Sequence, residues 1–270
     1  VYMAALLKGY KPSDTVVDGP VAVGNWAPRN SAPPVRNLDA PVPPARTRLV
    51  VIDRPDSPQS VIMLGRLLPL RGTDRGTEAL ELANEVIGNG FLSRLNNDLR
   101  ETRGWTYGVR STIGNRVGRR SFVVSTSVQA DRTGDSIRVV LDQLAAFPAT
   151  RPVDPVELQR VTDGNIRGLP NRFETNGQVL GALLANDLFD RPDDYQEQLP
   201  TIYRAIDASQ IDAAARQYLH ADDLAIVVQE RRDAAFAGQG IAMPILADGI
   251  LLDRHDDLAG EVDQAAKVAD

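Results

Sequence analysis

The segment 87–108 constrains the fold more than any other part of the sequence, because two glycine-containing turns divide it into short elements. Apolar residues recur at helical spacing before it and stop at Gly88, which is typical of a helix end. A second helical stripe follows, formed by Leu92, Leu95 and Leu99. An alternating strand comes next, so the predicted order is helix, turn, helix, turn and strand. This order places Arg100 and Tyr107 seven residues apart, across the junction between the second helix and the strand.

The flanking patterns indicate an α+β fold. Short apolar runs at 49–52 and 60–64 predict strands, and the alternating runs 106–113 and 121–128 predict a β-hairpin. Apolar residues at three- and four-residue spacing predict helices at 133–147, 155–168, 172–188, 193–205 and 208–219. A further strand is predicted at 224–228. Strands followed by a run of helices, with a late strand returning to the sheet, are typical of α+β architecture.

Three parts are predicted along the chain. Residues 1–45 contain six prolines between Pro28 and Pro44 and are interpreted as a linker that can include the tail of a preceding repeat. Residues 46–230 form the main domain, and 231–270 form a C-terminal extension, in which 243–252 can add edge strands. Because the sequence begins at Val1 and not at a methionine, we interpret it as a fragment or a processed half.

The composition excludes several classes of function. A net charge of −6 argues against a surface that binds nucleic acid. The absence of cysteine excludes thiolate metal sites, disulfides and cysteine nucleophiles. No apolar stretch reaches the roughly 18 residues that a membrane-spanning helix needs. With only two histidines, His220 and His255, the chain also lacks the pair of imidazoles one helical turn apart that a catalytic zinc motif requires.

The order of these motifs resembles the second, non-catalytic domain of the insulinase/pitrilysin family of zinc metallopeptidases. The resemblance covers roughly residues 46–230 and depends on motifs that are individually weak. They occur in the family's order: Ile87-Gly88-Asn89-Gly90, Ser93-Arg94-Leu95, Leu99-Arg100-Glu101, Tyr107-Gly108, Glu157-Leu158, Phe173-Glu174-Thr175 and Ala225-Ile226-Val227-Val228. The catalytic half of such enzymes has an inverted His-x-x-Glu-His motif, which this sequence does not contain.

The resemblance implies a mixed, mostly antiparallel sheet packed by several helices on one face. It also implies a partner, namely a zinc-bearing homologous domain or subunit, and a peptide substrate held in a chamber between the two halves. Arg100 and Tyr107 would project into that chamber and donate hydrogen bonds to the substrate carbonyl near the scissile bond. On this view the chain binds no cofactor of its own and is inactive alone. The family further suggests a periplasmic location, although the sequence is equally compatible with the cytoplasm.

Other interpretations compete with these roles. From spacing alone, an Arg on a helix is more often solvated or paired with a neighbour such as Glu101, and a Tyr that opens a strand is more often half-buried. Seven arginines between positions 94 and 120 could guide an acidic partner, but a solvated hairpin face is the simpler interpretation. His220, beside two aspartates, is better explained by its place at a helix end than by a metal. Glycines 88, 90, 104 and 108 are better explained as turn residues than as a phosphate loop.

Two further classes of function remain open from the sequence. One is a non-enzymatic structural or scaffolding subunit, because the same fold can serve without peptidase activity. The other is a stand-alone enzyme, which the lack of clustered His, Cys or carboxylate ligands disfavours.

Overall fold

The computed structural model describes residues 48–54, 56–230 and 250–253. The predicted linker 1–45 and most of the predicted C-terminal extension, including His255, lie outside these residues. None of the helices in the described part of the chain has the length and apolar character needed to cross a bilayer.

One mixed sheet organises the described residues. Its strands are β1 (Arg48–Asp53), β2 (Gln59–Arg71), β3 (Thr106–Ile113), β4 (Arg119–Gln129), β5 (Ala225–Glu230) and β6 (Ile250–Asp253). They lie in the order β3-β4-β2-β5-β1-β6. The β3/β4, β4/β2 and β2/β5 pairs are antiparallel, whereas β1 runs parallel to both β5 and β6. The predicted mixed, mostly antiparallel sheet is therefore confirmed, and β6 is an edge strand that overlaps the end of the region 243–252.

The helices follow the predicted order. They are α1 (Glu78–Asn84), α2 (Arg94–Asn96), α3 (Thr133–Ala149), α4 (Pro155–Gly168), α5 (Asn176–Leu188), α6 (Tyr195–Ala205) and α7 (Ala208–Tyr218). Both α1 and α2 continue as wider π-helical turns, over Glu85–Asn89 and Asn97–Thr102. A 3₁₀ turn at Pro170–Phe173 precedes α5, so the predicted helix 172–188 is divided into two elements. Thr175 and Gln178 form a capping box at the start of α5, which fixes where the second element begins.

The core lies on one face of the sheet, under the helices. Along β2, Ile62, Leu64 and Leu68 are fully buried, whereas Met63 and Leu67 on the opposite face are exposed. This alternation follows the two-residue period of a strand that has one face covered and the other open. The prediction of helices packed on one face is confirmed.

Helix α5 departs from the amphipathic pattern of a surface helix. It exposes five large apolar side chains, Val179, Leu180, Leu183, Leu184 and Leu188. These residues, which we call the α5 apolar face, are not covered within the described part of the chain. A contiguous exposed apolar surface is typical of an interaction site in a soluble protein.

A buried ion pair holds the segment 87–108 against the helices that cover the sheet. The Arg94 guanidinium donates from Nε and Nη2 to the two carboxylate oxygens of Glu157 on α4, at 2.7 and 2.5 Å. It also donates to the backbone carbonyls of Arg151 and Pro152 and lies 4.7 Å from the ring centre of Phe147. Only 7% of the Arg94 side chain is exposed, so solvent cannot replace these partners.

Replacement of Arg94 by Met should therefore lower the free energy of unfolding by about 3–5 kcal/mol, because Glu157 is left without its cation. Urea denaturation measures this change. The matched control is Arg167→Met, since Arg167 makes an exposed pair with Asp163 at 3.2 Å and should cost less than about 1 kcal/mol. Equal effects of the two substitutions would contradict a structural role for the buried pair.

Candidate functional site

Two glycines allow the segment 87–108 to pass close to strand β3. A Cβ atom on Gly88 would lie 2.7 Å from Oγ of Ser111, so any side chain there would push the end of α1 away from β3. Gly104 has φ of +66°, a left-handed conformation that glycine adopts without strain. It makes the turn that leads into β3. The interpretation as a turn residue agrees with the geometry of Gly104, whereas Gly88 lies inside the π-helical turn Glu85–Asn89 and is a packing residue.

The side-chain amide of Asn96 joins α2 to β3. Its Oδ1 accepts a hydrogen bond from the Val109 backbone N–H at 2.9 Å, and its Nδ2 lies 2.9 Å from the Val109 carbonyl oxygen. Nδ2 also lies 3.1 Å from both the Gly90 carbonyl oxygen and the Ser93 hydroxyl. Asn96 is buried, so these contacts replace the bonds that water would otherwise make. Val109 is thereby held as if a further strand were paired with it.

Arg100 lies four residues after Asn96, on the π-helical continuation of α2. Its guanidinium carbon stands 4.3 Å from the ring centre of Phe91, and Nε lies 3.4 Å from a carboxylate oxygen of Glu101. Phe91 is itself exposed at the tip of the turn between α1 and α2. The side chain of Arg100 is one-third exposed, so it is partly open to solvent while the Phe91 ring limits the movement of its guanidinium.

Tyr107 projects from β3, where the pairing with β4 is irregular. The register shifts between Thr106 and Val109, and the Thr106 hydroxyl occupies the gap by donating to the Ser127 carbonyl oxygen at 2.7 Å. Such a bulge turns one side chain out of the ladder. Tyr107 is 90% exposed, and its hydroxyl makes no hydrogen bond to any residue that the structure describes. The half-buried position expected for an ordinary tyrosine at the start of a strand does not apply here.

The structure thus places both predicted site residues outside the core. Arg100 follows Asn96, and Tyr107 precedes Val109, so the Asn96–Val109 contact ties together the two elements that carry them. Both side chains end in hydrogen-bond donors, and such groups can bind and polarise a carbonyl oxygen.

The arginines between 94 and 120 do not form one solvated face, and that interpretation was wrong for two of them. Arg94 is buried against Glu157, as described above. Arg120 is also buried, and its guanidinium donates to the Gly114 carbonyl oxygen and to Glu81 Oε1, each at 3.0 Å. Both arginines are structural because their partners come from distant parts of the chain.

His220 contacts an arginine and not a metal-ligand cluster. It follows α7, and Nη1 of Arg66 on β2 lies within hydrogen-bond distance of both ring nitrogens and donates to the unprotonated one. Burial and the positive charge of Arg66 lower the pKa of His220, although Asp222 and Asp223 act in the opposite direction. The expectation that a helix dipole governs this histidine is therefore incomplete. In the described part of the chain, no three His, Cys, Asp or Glu side chains come together as a metal site.

Three residues that shape the site were not recognised from the sequence. Asn96 and Thr106 are polar residues whose partners are backbone groups in other elements, and nothing in the local pattern indicates those partners. Phe91 could have been found, because an aromatic residue inside a turn rich in glycine and asparagine has no core to enter.

Comparison with known proteins places the chain in a family. A family model described as the peptidase M16 inactive domain matches residues 5–164. Among curated proteins, uncharacterized zinc proteases of Mycobacterium tuberculosis and Mycobacterium bovis are 33% identical to the chain over 97 residues. The aligned part is 36% of this chain and 22% of each relative, so the chain spans about a fifth of their length.

Solved structures show the same fold. The crystal structure of a peptidase M16 inactive domain from Pseudomonas fluorescens matches with a TM-score of 0.63 and 25% identity, over 69% of this chain and 44% of that one. A protease from Helicobacter pylori matches with a TM-score of 0.59 and 14% identity, over 69% of this chain and 44% of that one. The periplasmic protease PqqL from Escherichia coli matches with a TM-score of 0.55 and 13% identity, over 70% of this chain and 21% of that one. The last two likenesses concern the fold alone.

The contact between Arg66 and His220 predicts a pH dependence of stability. The pKa of His220 lies below its usual value of 6.5 in the folded chain, so the unfolded chain takes up this proton first as the pH falls. The free energy of unfolding should therefore decrease as the pH falls below about 6.5. Urea denaturation between about pH 7 and pH 5 tests this, and His220→Gln should flatten the curve. A profile that His220→Gln leaves unchanged would contradict the assignment.

Proposed function

Because the chain belongs to the peptidase M16 family and matches the model of its inactive domain, we propose that it is the substrate-cradling half of a zinc-dependent endopeptidase. This family is the insulinase/pitrilysin family that the sequence motifs resemble. The chain supplies no zinc ligands in this proposal, and the ion is held by a homologous catalytic half. That half lies either in the same polypeptide or in a separate subunit.

The role proposed for Arg100 and Tyr107 is to hold the substrate carbonyl next to the scissile bond. The observation that carries this proposal is the exposure of Tyr107, whose ring and hydroxyl have no structural use in the described part of the chain. The guanidinium of Arg100, held against Phe91, is a donor set in place before the substrate arrives, and the phenol of Tyr107 is open to the same substrate. Such donors stabilise an oxygen that gains negative charge during attack by zinc-bound water.

Periplasmic location remains a proposal, and it rests on the likeness of the fold to a periplasmic protease. Cell fractionation with an antibody to the chain tests it, and recovery in the cytoplasmic fraction would contradict it.

The catalytic half requires a surface on which to dock, and we propose the α5 apolar face. The P. fluorescens and H. pylori proteins are more than twice as long as their aligned parts, so such relatives contain further chain against which a surface like this can be buried. Leu180 and Leu184 lie four residues apart and are each more than half exposed. Full burial of an exposed leucine contributes roughly 1.5–3 kcal/mol, and each of these two would contribute roughly half of that because about half of its surface is still exposed.

The first test concerns the two proposed substrate-binding residues. Cleavage of a quenched fluorescent peptide library is measured with this chain alone, with its zinc-bearing half alone, and with both. We expect cleavage with both halves, and Arg100→Ala or Tyr107→Phe should each lower kcat/KM by on the order of 100-fold.

Matched controls for this test are Arg216→Ala and Tyr218→Phe on α7, which should leave kcat/KM unchanged. A stable complex that cleaves nothing would favour the scaffolding function. Full activity of the Arg100 and Tyr107 variants would overturn the role assigned to those side chains.

The second test concerns the docking surface. The double substitution Leu180→Asp and Leu184→Asp should weaken binding to the zinc-bearing half by at least about 100-fold, because two charges would be buried at the interface. Isothermal titration calorimetry measures this affinity. The control is Asp187→Asn, an exposed residue of the same helix. Because the leucines are exposed, the variant should fold normally. Unchanged binding would contradict docking through the α5 apolar face.

A further inference from the structure

A cleft lies between α4 and the turn that joins α1 to α2. It consists of two adjoining cavities of about 300 and 400 Å³, which share Glu85, Asn165 and Arg172 in their walls. We call it the basic cleft and define it by the residues that line these two cavities. Its walls are the end of α1, one side of β3 and the face of α4 that carries Arg160.

Helix α4 leaves room for a ligand in the cleft. Gly164 and Gly168 lie four residues apart, on one side of the helix, and both line the larger cavity. A Cβ atom built on either glycine would meet no heavy atom within 4 Å. Any larger residue at these positions would therefore fill the cleft and not the protein core.

The charges that line the cleft favour an anion. Arg120 is neutralised by Glu81, which leaves one carboxylate, that of Glu85, against three arginines, Arg110, Arg160 and Arg172, among the lining residues. Arg172 also interacts with the hydroxyl of Tyr203. The cleft therefore carries an excess of positive charge on a chain whose net charge is −6. In a partly enclosed space such an excess concentrates anionic ligands.

Arg160 is the residue best placed to bind that anion. It is half-buried, and it forms no ion pair or hydrogen bond with any other residue in the described part of the chain. Its Nη1 would lie 3.5 Å from a Cβ atom on Gly90, so the guanidinium reaches the turn that carries Phe91. A guanidinium offers donors in a planar fork that matches the two oxygens of a carboxylate.

The cleft is continuous with the proposed substrate-binding residues. Phe91 and Leu92 form part of its wall, and the guanidinium of Arg100 stacks on the Phe91 ring at 4.3 Å. An extended peptide whose backbone carbonyl binds Arg100 would therefore pass the mouth of the cleft.

We propose that the basic cleft is a substrate subsite that takes an acidic side chain of the peptide, with Arg160 as its carboxylate-binding residue. This inference rests on the proposed function, because it assigns part of the specificity of the same substrate site. Phe91 and Leu92 contact the apolar stem of the bound side chain. The peptidase should accordingly favour substrates with a glutamate or aspartate a few residues from the scissile bond.

Binding by the full chain alone tests the cleft without any catalytic step. The probes are fluorescein-labelled peptides of one alanine- and serine-based sequence, in which a single glutamate or a single glutamine occupies each position in turn. Fluorescence anisotropy at low salt should show about 10-fold tighter binding for glutamate at one or two positions. Arg160→Gln should abolish this preference, whereas Arg167→Gln, at an exposed residue of the same helix, should leave it intact.

Gly164→Leu provides a second variant that does not remove a charge. It should weaken binding of the glutamate peptide by filling the cleft, and it faces solvent, so the fold should tolerate it. Equal binding of glutamate and glutamine peptides at all positions, or a preference that survives Arg160→Gln, would overturn the proposal.

Cleavage by the combined halves separates this proposal from the proposed function. If Arg160→Gln lowers kcat/KM for the glutamate substrate only, whereas Arg100→Ala lowers it for both, the subsite is supported. If the combined halves cleave both substrates equally well, the subsite is overturned and the peptidase function stands. If the chain selects glutamate peptides through Arg160 but no cleavage occurs with the zinc-bearing half, the cleft is supported as an anion site and the peptidase function fails.

Discussion

The side-chain amide of Asn96 is the contact on which the rest of this surface depends. It satisfies both backbone groups of Val109 on β3 and also reaches the Gly90 carbonyl oxygen and the Ser93 hydroxyl. One buried side chain thereby fixes the turn, the helix and the strand relative to each other. Each of these groups would cost about 1–3 kcal/mol if it were left buried without a partner, so few other side chains could replace this amide.

A second buried contact holds the same segment from the opposite side. Arg94, two residues before Asn96, is paired with Glu157 on α4 and cannot rotate without breaking several hydrogen bonds. Because α2 is held on both sides, the side chains that project from it point in fixed directions. Neither Phe91 nor Arg100 is buried in the core. The contacts of Asn96 and Arg94, which hold α2 and the turn before it, therefore determine where these two side chains lie. Rigid support of exposed donors is what preorganised binding requires.

The sequence predicted local structure well where neighbouring residues decide it. Leu95 and Leu99 are buried as their spacing implied, whereas Gly88, which was expected to end a helix, lies inside the π-helical turn Glu85–Asn89. Leu92, in contrast, is exposed, because the helix begins only after Ser93 and the apparent stripe started one turn too early. The burial of Arg94 and Arg120 was not predictable, since their carboxylate partners lie 63 and 39 residues away in the chain. The Thr175–Gln178 capping box was visible in the sequence and would have divided the helix 172–188 correctly.

The residues of the segment 87–108 divide into two groups with different physical requirements. Asn96 and its buried neighbours have all their polar groups satisfied inside the protein, and their identity follows from the fold. Tyr107 is held outward by a bulge, and the fold gains nothing from its phenol. A single domain without a partner would have no physical reason to expose this ring and the α5 apolar face together, since each costs solubility. The proposed composite peptidase accounts for both features, because a second half and a peptide would then cover them.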